Sequence, residues 1–337
     1  MEIPLIPQIK MLKILKPQRE WKWGIAIYLY LAGMGAGSYI IGLIMDWLGY
    51  TPSKPGIFLG YPIDLSKAIL LWGPVLVAVG APFLILDLGR KERFLYACRN
   101  PRTSWVARGF IILSIFMIVG IIVLGLSILP LGLGEKTILQ WALEITSLIF
   151  AFATALYTGI LLKSVKYVSL WNTPLLPLLF LISSLSTGSM GILLSLSGYE
   201  LFVSYGEYSH PWMNTLVAVE QTLILIEGLV LGFYLFFRYR TKDQGESSVR
   251  LLVSGQLKFL FWGGIIFIGL IFPIVLEYFY SKFPQYPILL FTTGLLLLSG
   301  GFFLRLGVLA SGIKDQPPLH KLIEIQSNWR TLKKIPS

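Results

Sequence analysis

Leu86-Asp-Leu-Gly-Arg-Lys-Glu-Arg-Phe-Leu-Tyr-Ala-Cys-Arg-Asn-Pro-Arg-Thr-Ser-Trp-Val-Ala-Arg108 is the stretch on which the reading of the fold turns. It sets Arg90, Lys91, Arg93, Arg99, Arg102 and Arg108 between two long apolar runs, roughly 65–88 and 106–129. Hydrocarbon does not accept so dense a group of cations. The stretch is therefore a loop at a membrane surface, and the runs beside it enter the bilayer. A single acid, Asp87, stands at the inner edge of the first run.

The rest of the sequence agrees. Its 337 residues are 55% hydrophobic and 13% charged, with a mean hydropathy of +0.73; soluble domains carry about 25% charged residues. No polar stretch is long enough to build a separate soluble domain, so residues 1–337 form one polytopic membrane domain. A spanning helix needs about 20 apolar residues. Eight runs qualify, at about 23–46, 65–88, 106–129, 138–162, 174–197, 212–237, 256–280 and 287–311. A basic tail, 1–22, precedes them and another, 313–337, follows. The expected fold is an all-α integral membrane protein with eight transmembrane helices in two four-helix bundles.

Eight crossings put both termini on one face. Of 28 Lys and Arg residues, only Lys54, Lys67, Lys136 and Lys282 fall on the other face. The positive-inside rule assigns the basic face, with both termini, to the cytoplasm. Localisation in the cell membrane follows, with lipid as a partner and nucleic acid not expected. The lysines at 10, 13 and 16 suit a short interfacial helix or an unstructured tail. One cysteine, Cys98, excludes an iron–sulfur cluster held by this chain alone. The two histidines, His210 and His320, lie in a loop and a tail, so neither haem nor a metal site is expected.

Ionisable residues inside a bilayer are costly and each is a functional candidate. Glu144 lies in the fourth run, and Glu220 and Glu227 in the sixth. The last two are seven residues apart, two helical turns, and share a helix face. They suit a proton relay; packed polar residues bonded to hydroxyls are the plainer alternative. Toward the basic face, Tyr28, Asp87, Tyr157, Thr158 and Arg305 occupy similar depth on four helices and could line one pocket. Arg305 needs an acid partner, Asp87 or Glu227. Phenol and guanidinium donors, a nearby carboxylate and apolar walls are what a quinone head group needs. The small residues of Gly33–Gly37 and Ser183–Gly191 are expected to pack helices closely.

Four stretches together resemble one family. They are Tyr28-Leu-Tyr-Leu-Ala-Gly-Met-Gly-Ala-Gly37; Leu86-Asp-Leu-Gly-Arg90 with Arg93-Phe94 and Asn100-Pro-Arg-Thr-Ser-Trp105; Tyr157-Thr-Gly159 with Leu170-Trp-Asn-Thr-Pro-Leu-Leu-Pro177 and Ser186-Thr-Gly188; and Gly300-Gly-Phe-Phe-Leu-Arg305. The protein resembles the polysulfide reductase/NrfD-type membrane subunits, the quinone-interacting anchors of molybdopterin and iron–sulfur oxidoreductases. That resemblance implies a menaquinone-like quinone at Tyr28, Asp87, Arg90 and Tyr157, and the depth reading adds Thr158 and Arg305 to the expected quinone-binding set. With the buried carboxylates read above, proton transfer is expected through Asp87, Glu144, Glu220 and Glu227. The resemblance also implies a four-cluster ferredoxin-like iron–sulfur subunit docked near Arg93, Arg99 and Arg102, and beyond it a molybdopterin catalytic subunit acting in sulfur-compound respiration. Several family members dock such partners outside the cytoplasmic membrane, whereas the charge count here favours the cytoplasmic face. A proton-coupled transporter and a purely structural anchor are the alternative functions.

Overall fold

The computed structural model describes residues 21, 23–50, 55–58, 61–64, 69–87, 102, 104–128, 137–203, 211–241, 243–284 and 286–315. In chain order these form α1 Trp23–Trp47, strands β1 Pro55–Phe58 and β2 Tyr61–Asp64, α2 Trp72–Asp87, α3 Trp105–Ile128, α4 Ile138–Lys163, a 3-10 turn Ser169–Trp171, α5 Leu175–Val203, α6 Pro211–Arg240, α7 Gln244–Val253, α8 Leu260–Lys282 and α9 Pro287–Ala310. Helices are the expected choice where no water can satisfy the backbone.

Among the described residues seven of these helices, all except α2 and α7, are long and apolar enough to cross a bilayer. Ile118, Ile149, Leu225 and Leu229 are each more than half exposed at their outer surfaces, as lipid-facing residues should be. The second expected span differs. Its helix, α2, has 16 residues, about 24 Å of rise against a hydrocarbon thickness of about 30 Å. It runs antiparallel to α1: Gly42 lies near Leu70, Gly35 against Gly73, and Leu31 beside Gly80. The loop between α1 and α2 also differs from an all-α expectation, since β1 and β2 pair antiparallel with Pro55 opposite Asp64 and Phe58 opposite Tyr61. A connection at a surface still has to satisfy its backbone, and a hairpin does so locally.

Helix α1 is the hub. It packs on α2, α4, α5 and α9. A Cβ on Gly37 would fall on the backbone of Ser184, and one on Gly188 on the backbone of Gly37 and Ser38. The two backbones are therefore in contact, and the Ser38 hydroxyl donates to the Gly188 carbonyl at 3.2 Å. Helix α1 ends where Gly49 takes φ +72° and the Tyr50 N–H donates back to the Met45 carbonyl at 2.9 Å. That left-handed closure is one that glycine adopts freely.

Half of α8 is unusual. Residues Leu260–Ile271 are wound as a π-helix before α-helical geometry resumes at Phe272.

One end of the molecule is tied by a polar cap. Trp21, just before α1, packs at a tilt against Trp171 with ring centroids 5.6 Å apart. The Trp171 indole N–H donates to the Val308 carbonyl at 2.9 Å, and Tyr234 Oη to the Leu170 carbonyl at 2.9 Å. The Ser169 hydroxyl reaches the Asp315 carboxylate at 2.7 Å. Arg238 donates to the Ser169 carbonyl and faces Asp243 at 3.4 Å. Asp243 caps α7 by accepting from the Gly245 N–H at 2.6 Å. Partial burial pushes the Asp243 carboxyl up, but bonds from Thr241 and Gly245 and the Arg238 charge outweigh it and hold the group below its usual range. The starts of α1 and α5 and the ends of α4, α6 and α9 thus meet at one face.

Candidate functional site

Two of the expected pocket residues come together. Tyr28 on α1 and Tyr157 on α4, both buried, line a small cavity of about 80 Å³ between α1, α2, α3 and α4, part of it open to the outside. Its other walls include Ala81, Val106 and Phe110 and are almost wholly apolar. Ser114 on α3 adds a hydroxyl, which sequence reading passes over because a lone serine in an apolar run carries no distinctive pattern.

The position of Tyr157 depends on α3. A Cβ built on Gly109 would overlap the Tyr157 ring and its hydroxyl. The missing side chain at 109 is what lets the phenol of Tyr157 pack against α3. Two phenols in an apolar chamber supply hydrogen-bond donors for a carbonyl oxygen.

Among the described side chains, Thr158 and Arg305 do not share this cavity. Thr158 is buried, but its hydroxyl donates to the Ala155 carbonyl at 2.7 Å. One residue of helix turns the side chain about 100° from Tyr157. Arg305 is fully buried against α5, with Nη1 2.5 Å from Ser183 Oγ and 3.0 Å from the Gly301 carbonyl, and Nη2 3.2 Å from Ser184 Oγ. Its guanidinium lies 5.7 Å from the Tyr30 ring and 5.3 Å from that of Phe180. Tyr28 and Tyr30 point to opposite sides of α1, so α1 separates Arg305 from the cavity. Asp87 is the last residue of α2, one turn beyond Leu84 in the cavity wall; its side chain lies outside the described residues, as do Arg90, Arg93 and Arg99. Arg102 is exposed, and its carbonyl accepts from Arg108 at 2.7 Å.

A second polar assembly runs between α5, α6, α8 and α9. Glu220 is fully buried and accepts from Ser186 at 2.8 Å and from Ser189. Glu227, two turns along α6, is buried and faces the charge of Arg305, whose guanidinium contacts Ser183. Of the two expected acid partners for Arg305, the described side chains therefore bring Glu227. Glu227 also lines a small cavity with Thr187, Gly269, Gly300 and Gly301, beside the π-helical turns of α8. Glu277 on α8 belongs to this assembly, fully buried and within electrostatic reach of Glu220. Its place near the end of an apolar run gives it the look of a surface acid.

Glu144 stands apart. It is buried on α4 and accepts from the Trp47 indole at 2.6 Å. Beside it the Tyr39 hydroxyl donates to Ser147 at 2.9 Å. These contacts bind α1 to α4 and do not join Glu144 to Glu220 or Glu227.

The family model for polysulphide reductase, NrfD, matches residues 14–315. The chain belongs to the NrfD family. Similar proteins include the C component of the polysulfide reductase of Wolinella succinogenes, 32% identical over 276 residues, or 76% of this chain and 82% of that one. Protein NrfD of Escherichia coli is 27% identical over 325 residues, covering 87% and 94% of the two proteins. The C component of the selenate reductase of Mesobacillus selenatarsenatis is 23% identical over 292 residues, covering 76% and 66%. This NrfD-family member is a multi-pass membrane protein, and its recognisable stretches have identifiable physical tasks. Gly33–Gly37 and Ser186–Gly188 make the α1–α5 contact, Leu170–Trp171 anchors the polar cap, and Gly300–Arg305 carries the buried guanidinium.

Proposed function

We propose that this protein is the quinone-reactive membrane subunit of a multi-subunit oxidoreductase. It would link a membrane quinone pool to an iron–sulfur partner and, beyond it, a molybdopterin catalytic subunit that handles a sulfur compound. The observation that carries the reading is the pair Tyr28 and Tyr157 lining one apolar chamber. A quinone head group fits that chamber chemically, since its carbonyl oxygens need donors and its ring and tail need apolar walls. A menaquinone-like molecule, when bound, supplies two-electron, two-proton chemistry. The protein's part is to hold and orient it through the phenol donors, to exclude bulk water with the apolar walls, and to handle protons. Phenols at neutral pH are poor proton carriers, so Asp87, at the end of α2, is assigned proton exchange with the chamber, and Arg90 the balancing of its charge. Arg305 and Thr158 take supporting places, the first in the polar assembly behind α1 and the second inside α4. Glu220 and Glu227 form the relay, and Glu144 is assigned the α1–α4 contact ahead of proton transfer. The prosthetic metal centres belong to the partners, not to this chain.

Eight crossings in two groups of four, 1–4 and 5–8, remain our reading of the topology, and parity supports it. Trp21 at the start of α1 meets Trp171 after α4, so an even number of passages lies between them. That count needs α2 as a crossing. The cap then lies on the basic face, which the charge distribution assigns to the cytoplasm, with Arg93, Arg99 and Arg102 as the landing site for an electron-carrying partner of complementary charge. Relatives that are themselves components of polysulfide and selenate reductases support membership in a larger complex.

The test is titration of a quinone analogue into the purified full-length protein. Tyr157→Phe should weaken binding about fivefold, the worth of one hydrogen bond of about 1 kcal/mol. Unchanged affinity in both Tyr157→Phe and Tyr28→Phe refutes the site. Buried carboxylates would also suit a proton-coupled carrier. Co-purification with an iron–sulfur protein favours the first reading, and a lone functional chain favours the second.

A further inference from the structure

The small cavity at Glu227 is enclosed by α5, α6, α8 and α9. It holds about 10 Å³, the room of roughly one water molecule. Glu227 and Thr187 bring polar side chains to its wall. Gly269, Gly300 and Gly301 bring none, so at these positions the wall is bare main chain. The π-helical turns of α8 supply Gly269, and the Phe272 N–H that closes them donates to the Phe267 carbonyl, five residues back. Such turns are rare and frequent at functional sites. They set α8 against α9 through main chain, since a Cβ on Gly269 would lie 2.9 Å from Gly300 Cα. On the opposite wall, a Cβ on Gly301 would overlap the Thr187 methyl.

A buried carboxyl needs hydrogen-bond partners in whichever form it takes. Thr187 is not a donor to it, because its hydroxyl hydrogen already goes to the Ser183 carbonyl at 2.7 Å. Main-chain carbonyls only accept, and each has a second lone pair beyond its helical bond. The wall therefore offers an ionised Glu227 no donor side chain. The geometry points to one ordered water in this cavity, bonded to the Glu227 carboxyl and to main-chain oxygens that the glycines leave uncovered. To an ionised Glu227 the water donates one hydrogen, and its other hydrogen goes to a carbonyl of the wall. From a protonated Glu227 the water accepts, and both of its hydrogens go to carbonyls. Glu227 keeps a partner in both forms, so it can gain or lose a proton without moving.

The surroundings of the cavity are otherwise apolar. Leu231, Ile265, Leu297 and Leu304 border it, and all four are buried. A cavity lined by such residues alone stays dry. The carboxyl and the bare main chain are what make this one wet. The water is a ligand of the second polar assembly, behind α1, and has no part in the quinone chamber. Its site goes beyond the relay of Glu220 and Glu227 and does not depend on it.

The test is an experimental structure of the full-length protein at a resolution that shows ordered waters. The wild type should show one peak within hydrogen-bond distance of a Glu227 carboxylate oxygen and of a main-chain oxygen in the wall. No peak there overturns the proposal. Glu227→Gln, which keeps a hydrogen-bonding group of the same shape, should retain the peak, and Glu227→Leu should lose it. A peak that survives in Glu227→Leu overturns the role of the carboxyl. Leu297→Phe, which fills the cavity from α9, should lose the peak with Glu227 intact, so the result does not hang on whether Glu227→Leu folds. Infrared spectra of hydrated films provide a second readout. The difference between wild type and Leu297→Phe should contain an O–H stretching band that shifts in heavy-oxygen water, and the lack of such a band overturns the proposal. Quinone-linked turnover in vesicles holding the assembled complex reads the relay separately. A water peak in the wild type with unchanged turnover in Glu227→Gln leaves the water standing and the relay refuted.

Discussion

Replacing Gly109 by alanine tests how the quinone chamber is built. The added methyl would occupy the space of the Tyr157 ring and hydroxyl. Two costs follow. Overfilling a packed contact costs about 1–3 kcal/mol of stability. Displacing the phenol forfeits its bond to the ligand, about 1 kcal/mol or roughly a fivefold loss in affinity. The assay is quinone-analogue titration with parallel thermal unfolding for Gly109→Ala, Tyr157→Phe and the double variant. Removing the hydroxyl relieves part of the overlap, so the double variant should lose less than the sum of the singles in both measurements. Such coupling is expected of residues in direct contact. Strict additivity, or full affinity and stability in Gly109→Ala, would show that Tyr157 is not held by the bare surface of α3.

Glu144→Gln should lower thermal stability by about 1–3 kcal/mol, because the Trp47 indole loses a charged acceptor, with quinone-linked turnover unchanged; a large loss of turnover at full stability would return Glu144 to the proton path. Arg305→Gln should destabilise the protein by about 3 kcal/mol, since Ser183, Ser184 and Glu227 all lose their cation; thermal unfolding measures it, and a wild-type melting profile refutes it. Asp243 provides the pH prediction. Its carboxyl is held below its usual value of 3.8, so its contribution to anchoring α7 is fully present above that value and is lost as pH falls below it toward the lowered one. Hydrogen exchange of α7 should stay slow from pH 7 down to about 4 and accelerate below. Asp243→Asn should exchange faster at neutral pH and lose that acid transition; an unaltered pH profile in the variant contradicts the anchoring role.

Much of this architecture is legible in the residues. Apolar runs mark the spanning helices because the bilayer leaves the backbone few alternatives. Tyr28 and Tyr157 can be paired from depth alone. Depth does not give azimuth, however, and that is why it also points Thr158 and Arg305 toward a chamber they do not enter. In a helix that is apolar all round, periodicity does not reveal which face is inward. Glu277 escapes for a related reason: the π-helical turns of Leu260–Ile271 advance the side chains by a different angle from α-helical turns. An inward face extrapolated from the start of α8 therefore loses register before residue 277. Helix α7 does carry a signal, since Asp243 and Glu246 stand three apart in the pattern of a helix start.

The contact between Gly37 and Gly188 has a mechanical consequence. Backbones that touch, with a serine hydroxyl tying one to the other, cannot slide or open without losing the hydrogen bond and leaving a void no side chain can fill. Helix α1 is thereby welded to α5. A carrier that alternates access by rocking one half against the other needs a yielding hinge along that seam. The α1–α5 contact instead makes a tight spine along that seam.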